Sequence, residues 1–117
     1  KLKGNIQITS IVDKFLEHSR IFIFCNNEAE KYYISSADWM TRNLDQRIEV
    51  AVPVYDKEIQ KELKTIVEYG LKDNVKARIT NGEGENKLQE DELPPFRSQQ
   101  ELMKHYKTLE ESRITGK

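Results

Sequence analysis

The stretch RIFIFCNNEAEKYYIS at residues 20–35 decides the fold of this chain. Residues 20–25 contain a continuous β-branched and aromatic run, which is typical of a strand that is buried on both faces. The two asparagines and the glutamate at 26–28 provide turn chemistry, and residues 31–35 predict the returning strand. The stretch therefore predicts a β-hairpin.

A helix and a third strand are predicted on either side of this hairpin. Ser10 followed by Asp13 is a loose capping box, and the apolar residues behind it recur at helical spacing. This pattern predicts a short amphipathic helix that ends near His18. Residues 48–54 predict the third strand, in which Pro53 should lie near the end because proline cannot donate a ladder hydrogen bond.

The second half of the chain predicts two further helices and one short strand. Asp56 is a good N-cap for a helix that we expect Gly70 to end. Residues 75–79 predict a short edge strand, and Ser98 with Glu101 predicts the capping box of a last helix. Together with the hairpin, these elements predict an α/β fold, with α+β as the alternative.

The chain is 117 residues long, which is one domain's worth of sequence. Its hydrophobic fraction is 37%, against about 45–50% in typical soluble domains. This deficit predicts a small core with long polar segments, or a piece of a larger protein. Within the predicted domain at 1–117, the segment 81–95 combines glycine, proline and acidic residues with hardly any apolar anchor, which predicts a mobile acidic loop.

The composition excludes several classes of protein. Lys and Arg number 19 against 20 Asp and Glu, so the net charge of −1 excludes a generic basic coat for duplex DNA or anionic lipid. The single cysteine, Cys25, excludes an intramolecular disulfide framework and a cysteine-based zinc cluster. We expect no nucleic-acid partner and no metal ligand in this chain. The absence of a signal-peptide pattern or an apolar run of spanning length predicts a cytoplasmic protein.

Two groups of residues near the hairpin could bind phosphate. His18 and Arg20 lie just before the first strand, where a histidine and an arginine fork could face one anion. The alternative is a surface histidine that only hydrogen-bonds the strand end.

Ser36, Asp38 and Arg42 follow the returning strand, where backbone N–H groups and a cation could hold phosphate. The alternative is that Ser36 or Asp38 caps a short helix.

A third group lies at the start of the next strand. Strand alternation places Arg47 and Glu49 on one face, where both could contact a ligand. The alternative is a cross-strand ion pair, which contributes little if it is exposed. Cys25, at the end of the aromatic strand, is more often a small core residue than a reactive thiol.

The motifs around these groups extend over nearly the whole chain. They are TSIVDKFLEHSR at residues 9–20, SSADWMTRNLDQRIEV at residues 35–50, DNVKAR at residues 73–78 and FRSQQ at residues 96–100. Together they closely resemble the C-terminal catalytic domain of the bacterial polyphosphate kinase family, and SADWMTRNLD is the most specific part. The family usually has a second arginine where this chain has Gln46, which removes one cation near the site.

The resemblance implies a phospholipase D-like mixed sheet flanked by helices, of which this chain is an incomplete part. In that superfamily each half supplies a His-x-Lys-x4-Asp motif and a Gly-Ser-x-Asn motif. The aligned positions here hold Arg20 for the lysine, Cys25 for the aspartate and Asp38 for the asparagine. These departures disfavour a phospholipase D-like phosphodiesterase, which stays an alternative together with a non-catalytic phosphate-binding or assembly module.

The family passes the terminal phosphoryl group of ATP reversibly to polyphosphate through a phosphohistidine, with Mg²⁺. The resemblance implies that the phosphohistidine and most contacts to Mg²⁺ lie outside this chain. His18 matches the family's second essential histidine, and Arg47 and Glu49 match residues that line the nucleotide pocket. Arg20 is a further candidate for binding nucleotide or phosphate. Ser36, Asp38 and Arg42 are weaker candidates, which match the superfamily's second motif.

The resemblance also implies the partners of the chain. They are ATP or ADP, polyphosphate, and the remaining domains of the same enzyme, and we expect the full-length protein to form a homo-oligomer. A cytoplasmic location leaves open an association of the full-length protein with the membrane.

Overall fold

A computed structural model describes residues 7–18, 20–36, 45, 50–80, 87–88 and 92–116 of the chain. Its strands are β1 (Thr9–Ile11), β2 (Ile21–Phe24), β3 (Lys31–Ser35), β4 (Ala51–Val54) and β5 (Ala77–Ile79), and its helices are α1 (Lys57–Lys72) and α2 (Ser98–Ile114). The combination of sheets and helices confirms the predicted α/β class. Within the described residues, no helix has the length and apolarity needed to cross a membrane.

Two compact units make up the chain. The central unit is Glu17–Val67, and the terminal unit combines Lys1–Leu16 with Glu68–Lys117. The central unit holds β2, β3, β4 and the first part of α1, and the terminal unit holds β1, β5, the end of α1 and all of α2. The assignment of residues 1–117 to one domain stays a prediction.

The central unit is built on an antiparallel sheet in the order β2-β3-β4. Ile21 lies opposite Ile34, which confirms the predicted hairpin. The residues at 26–28 all have positive φ, a conformation that asparagine tolerates well. Pro53 lies opposite Tyr33, next to the end of the edge strand β4, where a missing backbone donor is tolerated.

The strand β2 is less buried than its composition predicts. Its first three residues are half-buried, and Phe24 is 55% exposed, so the prediction of burial on both faces is wrong for this chain. The reason is that β2 is an edge strand, and burial is concentrated where Tyr32 and Val54 lie opposite each other. Cys25 is exposed, which corrects its expected place in the core.

The segment before His18 is extended, so the helix predicted there is wrong. Thr9–Ile11 pair with β5 in antiparallel register, and no helix follows up to residue 18. The N–H of Val12 then donates to the carbonyl of Lys76 at 3.3 Å. A helix this short is marginal without tertiary support, and here the backbone finds its partners in a distant strand instead.

The start of α1 follows the prediction and its end does not. The Asp56 carboxylate accepts hydrogen bonds from the N–H groups of Glu58 at 2.9 Å and Ile59 at 3.2 Å, which confirms the N-cap. The helix continues past Gly70 to Lys72. Gly70 does not adopt the positive φ of a helix-ending glycine, so the predicted stop is wrong.

The N-terminus of α2 is capped by a residue that is distant in sequence. Arg97 occupies the N-cap position without a side-chain capping bond, and Ser98 is already helical, so the predicted capping box is wrong. The missing acceptor comes from Asp73, whose Oδ2 accepts the N–H of Ser98 at 2.8 Å.

Most of the predicted acidic loop at 81–95 lies outside the described residues. Of the part that the structure describes, Leu88 forms a β-bridge with Arg78, and the N–H of Ile79 donates to the carbonyl of Lys87 at 2.9 Å. The mobility of the loop stays a prediction.

Candidate functional site

One end of the central sheet brings together Arg20 and Ser36, two of the candidate residues that the structure describes. Antiparallel pairing places the start of β2, the end of β3 and the start of β4 at this same end. The N–H of Ser35 donates to the carbonyl of Arg20 at 2.9 Å, which ties the end of β3 to the residue before β2. Arg20 and Ser36 are therefore brought together here, although they are far apart in sequence.

Ser36 joins β3 to β4 at this end. Its N–H donates to the carbonyl of Val50 at 3.0 Å, and its Oγ accepts the N–H of Val50 at 3.0 Å. Ser36 and Val50, which flank residues 37–49 in the sequence, are therefore paired at this end of the sheet. Within residues 37–49 lie four predicted site residues that are outside the described residues, namely Asp38, Arg42, Arg47 and Glu49.

His18 lies two residues before Arg20 in irregular, exposed chain. Because no helix precedes it, the expected helix-to-strand junction is wrong, and the histidine lies at a coil-to-strand junction. Among the described residues, residues 16–18 have no hydrogen-bond partner. The imidazole is thus open to a ligand from solvent.

Two depressions of the central unit lie at the other end of the sheet. One, of about 440 Å³, is lined by residues that include Tyr33, Tyr55 and Lys57. The other, of about 670 Å³, includes Cys25 and Lys64 in its lining. They lie beside the turn at 26–28, so they do not contain the candidate phosphate-binding residues.

The Glu30 side chain contacts two other side chains of the central unit. Its carboxylate accepts a hydrogen bond from the Tyr32 hydroxyl at 2.6 Å, and both of its oxygens lie 3.0 Å from Lys64 Nζ. The Tyr32 hydroxyl and then the Lys64 ammonium lower the pKa of Glu30. This carboxylate is used to connect β3 with α1.

In the terminal unit, the start of α2 holds the chain just before His18. Gln99 Oε1 accepts the N–H of Phe15 at 3.1 Å, and Gln99 Nε2 donates to the carbonyl of Phe15 at 2.7 Å. The Arg97 guanidinium forms an ion pair with Asp13, in which Nε lies 2.7 Å from Oδ2. We call these contacts the polar anchor; they were missed because their partners lie 84 residues apart.

A buried carboxylate stabilises the same region. Asp73 is 0% exposed, and its Oδ1 accepts the N–H groups of Val75, Lys76 and Ala77 at 3.0, 2.7 and 2.9 Å. Its other oxygen accepts from Ser98. Burial raises the pKa of Asp73, but the backbone N–H groups of Lys76, Ser98 and Ala77 outweigh burial and hold the pKa below its usual value.

The ion pair of the polar anchor predicts a loss of stability at acid pH. The hydrogen bond from Arg97 lowers the pKa of Asp13 from 3.8 to about 2. The stabilisation by ionised Asp13 is therefore complete above its unfolded pKa and is lost as the pH falls towards the folded value. We expect the difference in unfolding free energy between wild type and Asp13→Asn to shrink from pH 5 to about pH 2. Urea titrations at each pH measure it, and a constant difference would contradict the assignment.

Within the part of the chain that the structure describes, no group of three or more His, Cys, Asp or Glu side chains could hold a metal ion. Mg²⁺ prefers oxygen ligands, above all carboxylates and phosphate.

The family model for "Polyphosphate kinase C-terminal domain 2" matches residues 1–99. The chain belongs to this family.

Polyphosphate kinases from several bacteria are similar to this chain. That of Klebsiella pneumoniae is 42% identical over 111 residues, covering 94% of this chain and 16% of the relative. That of Staphylococcus haemolyticus is 47% identical over 102 residues, covering 87% and 14%. That of Bacillus anthracis is 48% identical over 81 residues, covering 69% and 12%. The chain therefore spans only a small part of the length of these relatives.

A solved structure supports the same family. The crystal structure of the polyphosphate kinase from Porphyromonas gingivalis matches with a TM-score of 0.87 at 42% identity. The match covers 92% of this chain and 17% of that one.

Proposed function

We propose that this chain supplies part of the catalytic domain of a polyphosphate kinase, which transfers the terminal phosphoryl group of ATP reversibly to polyphosphate. The observation that carries the proposal is the convergence of Arg20 and Ser36 at one end of the central sheet. Phosphoryl transfer depends mainly on positioning and on neutralising charge. Groups that converge from separate segments of the sequence meet that need.

The proposed roles follow from the chemistry of each side chain. His18 is the general acid or base for the oxygen that leaves or attacks phosphorus, since imidazole exchanges protons near neutral pH. Arg47 and Glu49 contact the nucleotide, with the Arg47 guanidinium on a phosphate. The other phosphate-binding residues are Arg20, Ser36, Asp38 and Arg42.

The remaining parts of the reaction are assigned to the rest of the enzyme. The histidine that carries the phosphoryl group lies outside this chain, and Mg²⁺ is held mainly by groups outside it. Mg²⁺ supplies charge neutralisation on the phosphates when bound. The partners are ATP or ADP, polyphosphate and the other domains of the same protein, in a cytoplasmic homo-oligomer that can associate with the membrane.

The isolated chain is expected to make no polyphosphate, because it lacks the histidine that carries the phosphoryl group. Incubation of the purified chain with γ-labelled ATP and Mg²⁺ tests this, with the complete polyphosphate kinase that contains the chain as the positive control. Appreciable polyphosphate, or labelled phosphohistidine at His18 in the isolated chain, would contradict the division of roles. Hydrolysis of bis(p-nitrophenyl) phosphate by the chain would favour the phosphodiesterase alternative.

A further inference from the structure

The sheet of the central unit has two outer edges, one formed by β2 and the other by β4. The N–H of Ser35 donates to the carbonyl of Arg20, which makes these two residues a hydrogen-bonded pair of the β2–β3 ladder. Hydrogen-bonded and non-hydrogen-bonded pairs alternate along an antiparallel ladder. Ile21 and Ile23 therefore direct their backbone N–H and carbonyl groups away from β3, to the outer edge of β2.

The outer edge of β2 is open to another strand. Within the part of the chain that the structure describes, the outward backbone groups of Ile21 and Ile23 make no hydrogen bond. Natural proteins protect such an edge with proline, with charged residues or with a bulge. The four residues of β2 include no proline and no charge, and they pair with β3 without a bulge.

The outer edge of β4, in contrast, is blocked. The N–H of Ser36 donates to the carbonyl of Val50, so the same alternation places Ala51 and Pro53 on the outer side of β4. Pro53 has no N–H to donate there, which opposes the pairing of a further strand. The two edges of one sheet therefore differ, because β2 presents an N–H group at both of its outward positions and β4 does not.

The lengths of the relatives indicate where a strand for the open edge comes from. The match covers 16% of the Klebsiella pneumoniae protein and 17% of the Porphyromonas gingivalis chain, so most of each protein lies outside it. A strand on the same polypeptide has a high effective concentration at the edge, which a separate molecule lacks. This difference favours the same polypeptide over a second copy.

We propose that the outer edge of β2 is a strand-addition site, at which a strand from another part of the same polyphosphate kinase pairs with Ile21 and Ile23. Main-chain hydrogen bonds hold the added strand, as in other cases of strand addition to a sheet edge. Because Ile21 directly follows Arg20, this strand reaches the end of the sheet where Arg20 and Ser36 lie. The proposal rests on the proposed place of this chain in a longer polyphosphate kinase, and not on the catalytic role of any residue.

Hydrogen exchange of single amides in the complete polyphosphate kinase that contains this chain tests the pairing. We expect the N–H groups of Ile21 and Ile23 to exchange about as slowly as that of Phe22, which faces β3, and at least about 100-fold more slowly than in an unfolded peptide. Ala51, on the outer side of β4, is the control and should exchange fast.

Two results of this measurement contradict the proposal. Fast exchange of Ile21 and Ile23 beside a slow Phe22 would show that the edge of β2 stays unpaired. Slow exchange of Ala51 as well would show that protection is general at the sheet edges, which would overturn the distinction between them.

Proline substitution in the complete enzyme gives a second readout. Ile23→Pro removes an outward N–H, which a strand paired on both sides needs and an edge strand does not. Ile23→Ala is the matched control, because it shortens the same side chain and keeps the N–H. We expect the midpoint of thermal unfolding of Ile23→Pro to lie at least about 5 °C below that of Ile23→Ala.

A further control makes the proline result specific. Ala51→Pro places a proline at an outward position of β4 and should be tolerated, as Pro53 is. Equal midpoints for Ile23→Pro and Ile23→Ala would overturn the proposal. If neither variant at position 23 folds, the exchange of Ile21 and Ile23 in the wild-type enzyme decides the question.

Cross-linking from Cys25, which is exposed and directly follows β2, identifies the source of the strand. In enzyme assembled from isotopically labelled and unlabelled subunits, we expect links from Cys25 to residues outside 1–117 of the same copy. Links between differently labelled copies in their place would assign the edge to a second copy and overturn the proposed occupant. None of these readouts uses turnover, so a normal kcat of His18→Ala overturns the proposed role of His18 and leaves the strand-addition site unaffected.

Discussion

Replacing His18 by alanine in the complete polyphosphate kinase is expected to lower kcat by about 10²–10⁴-fold, the usual contribution of a general acid or base. The fold should be kept, because the side chain is exposed and has no hydrogen-bond partner among the described residues. Steady-state synthesis of polyphosphate, together with thermal unfolding, measures both effects. Labelling by ATP of the phosphoryl-carrying histidine outside this chain should still be detectable, because in the proposed mechanism that histidine, and not His18, receives the phosphoryl group.

Two control variants make the result specific. His105 is the second of the two histidines in the chain and belongs to the terminal unit, where its ring lies 5.8 Å from that of Tyr69. His105→Ala should leave kcat unchanged. Arg47→Ala should act mainly through the KM for ATP, since it removes the contact to bound nucleotide that we propose for Arg47. Normal turnover of a folded His18→Ala variant would show that His18 is only a surface residue.

The elements that were predicted correctly depend on short stretches of sequence. The hairpin follows from two β-rich runs joined by turn residues, and the N-cap of α1 follows from a single aspartate before an apolar stripe. Each of these signals lies within a few residues of the structure that it determines. Local sequence was sufficient in these places because local hydrogen bonds decide the conformation.

The elements that were predicted wrongly depend on partners far away in sequence. The spacing of Ile11 and Phe15 fits a helix, yet the first pairs with β5 and the second with Gln99. Ser98 has the sequence of an N-cap, yet its N–H is bound by Asp73. Periodicity and capping patterns carry no information about such distant acceptors, so they could not predict these contacts.

The candidate site likewise has features that local sequence predicts and features that depend on distant partners. The residue types at His18, Arg20 and Ser36 indicated phosphate chemistry, and the family motif increased their specificity. The placement of Arg20 and Ser36 at one end of the sheet depends on the register of three strands, which only the structure gives. The two hydrogen bonds between Gln99 and Phe15 had no sequence signal beyond the motif around Gln99.

The buried carboxylate of Asp73 is expected to be the largest single contributor to stability among the polar groups described above. It accepts four backbone N–H groups, three within 73–77 and one at the start of α2. Removing the acceptor from buried donors costs about 1–3 kcal/mol for each group that is left unsatisfied. Water can reach some of the donors in a variant, so the expected total is about 3–5 kcal/mol, a large fraction of the stability of a small protein.

Asp73→Ala should therefore lower the free energy of unfolding by about 3–5 kcal/mol, measured by urea titration of the chain at pH 7. Asp73→Asn should lower the free energy of unfolding by less, about 1–3 kcal/mol, because its amide oxygen still accepts hydrogen bonds. The remaining loss arises because its NH₂ group faces at least one backbone N–H donor. Asp56→Ala is the matched control: it also removes an aspartate that accepts two backbone N–H groups, but at an exposed N-cap, where about 1 kcal/mol is expected. Because the pKa of Asp73 is lowered, its contribution to the free energy of unfolding is present near neutral pH and is lost as the pH falls below the usual carboxyl range.

Equal losses of unfolding free energy for Asp73→Ala and Asp56→Ala would show that burial of the four hydrogen bonds of Asp73 adds nothing to their stabilising effect.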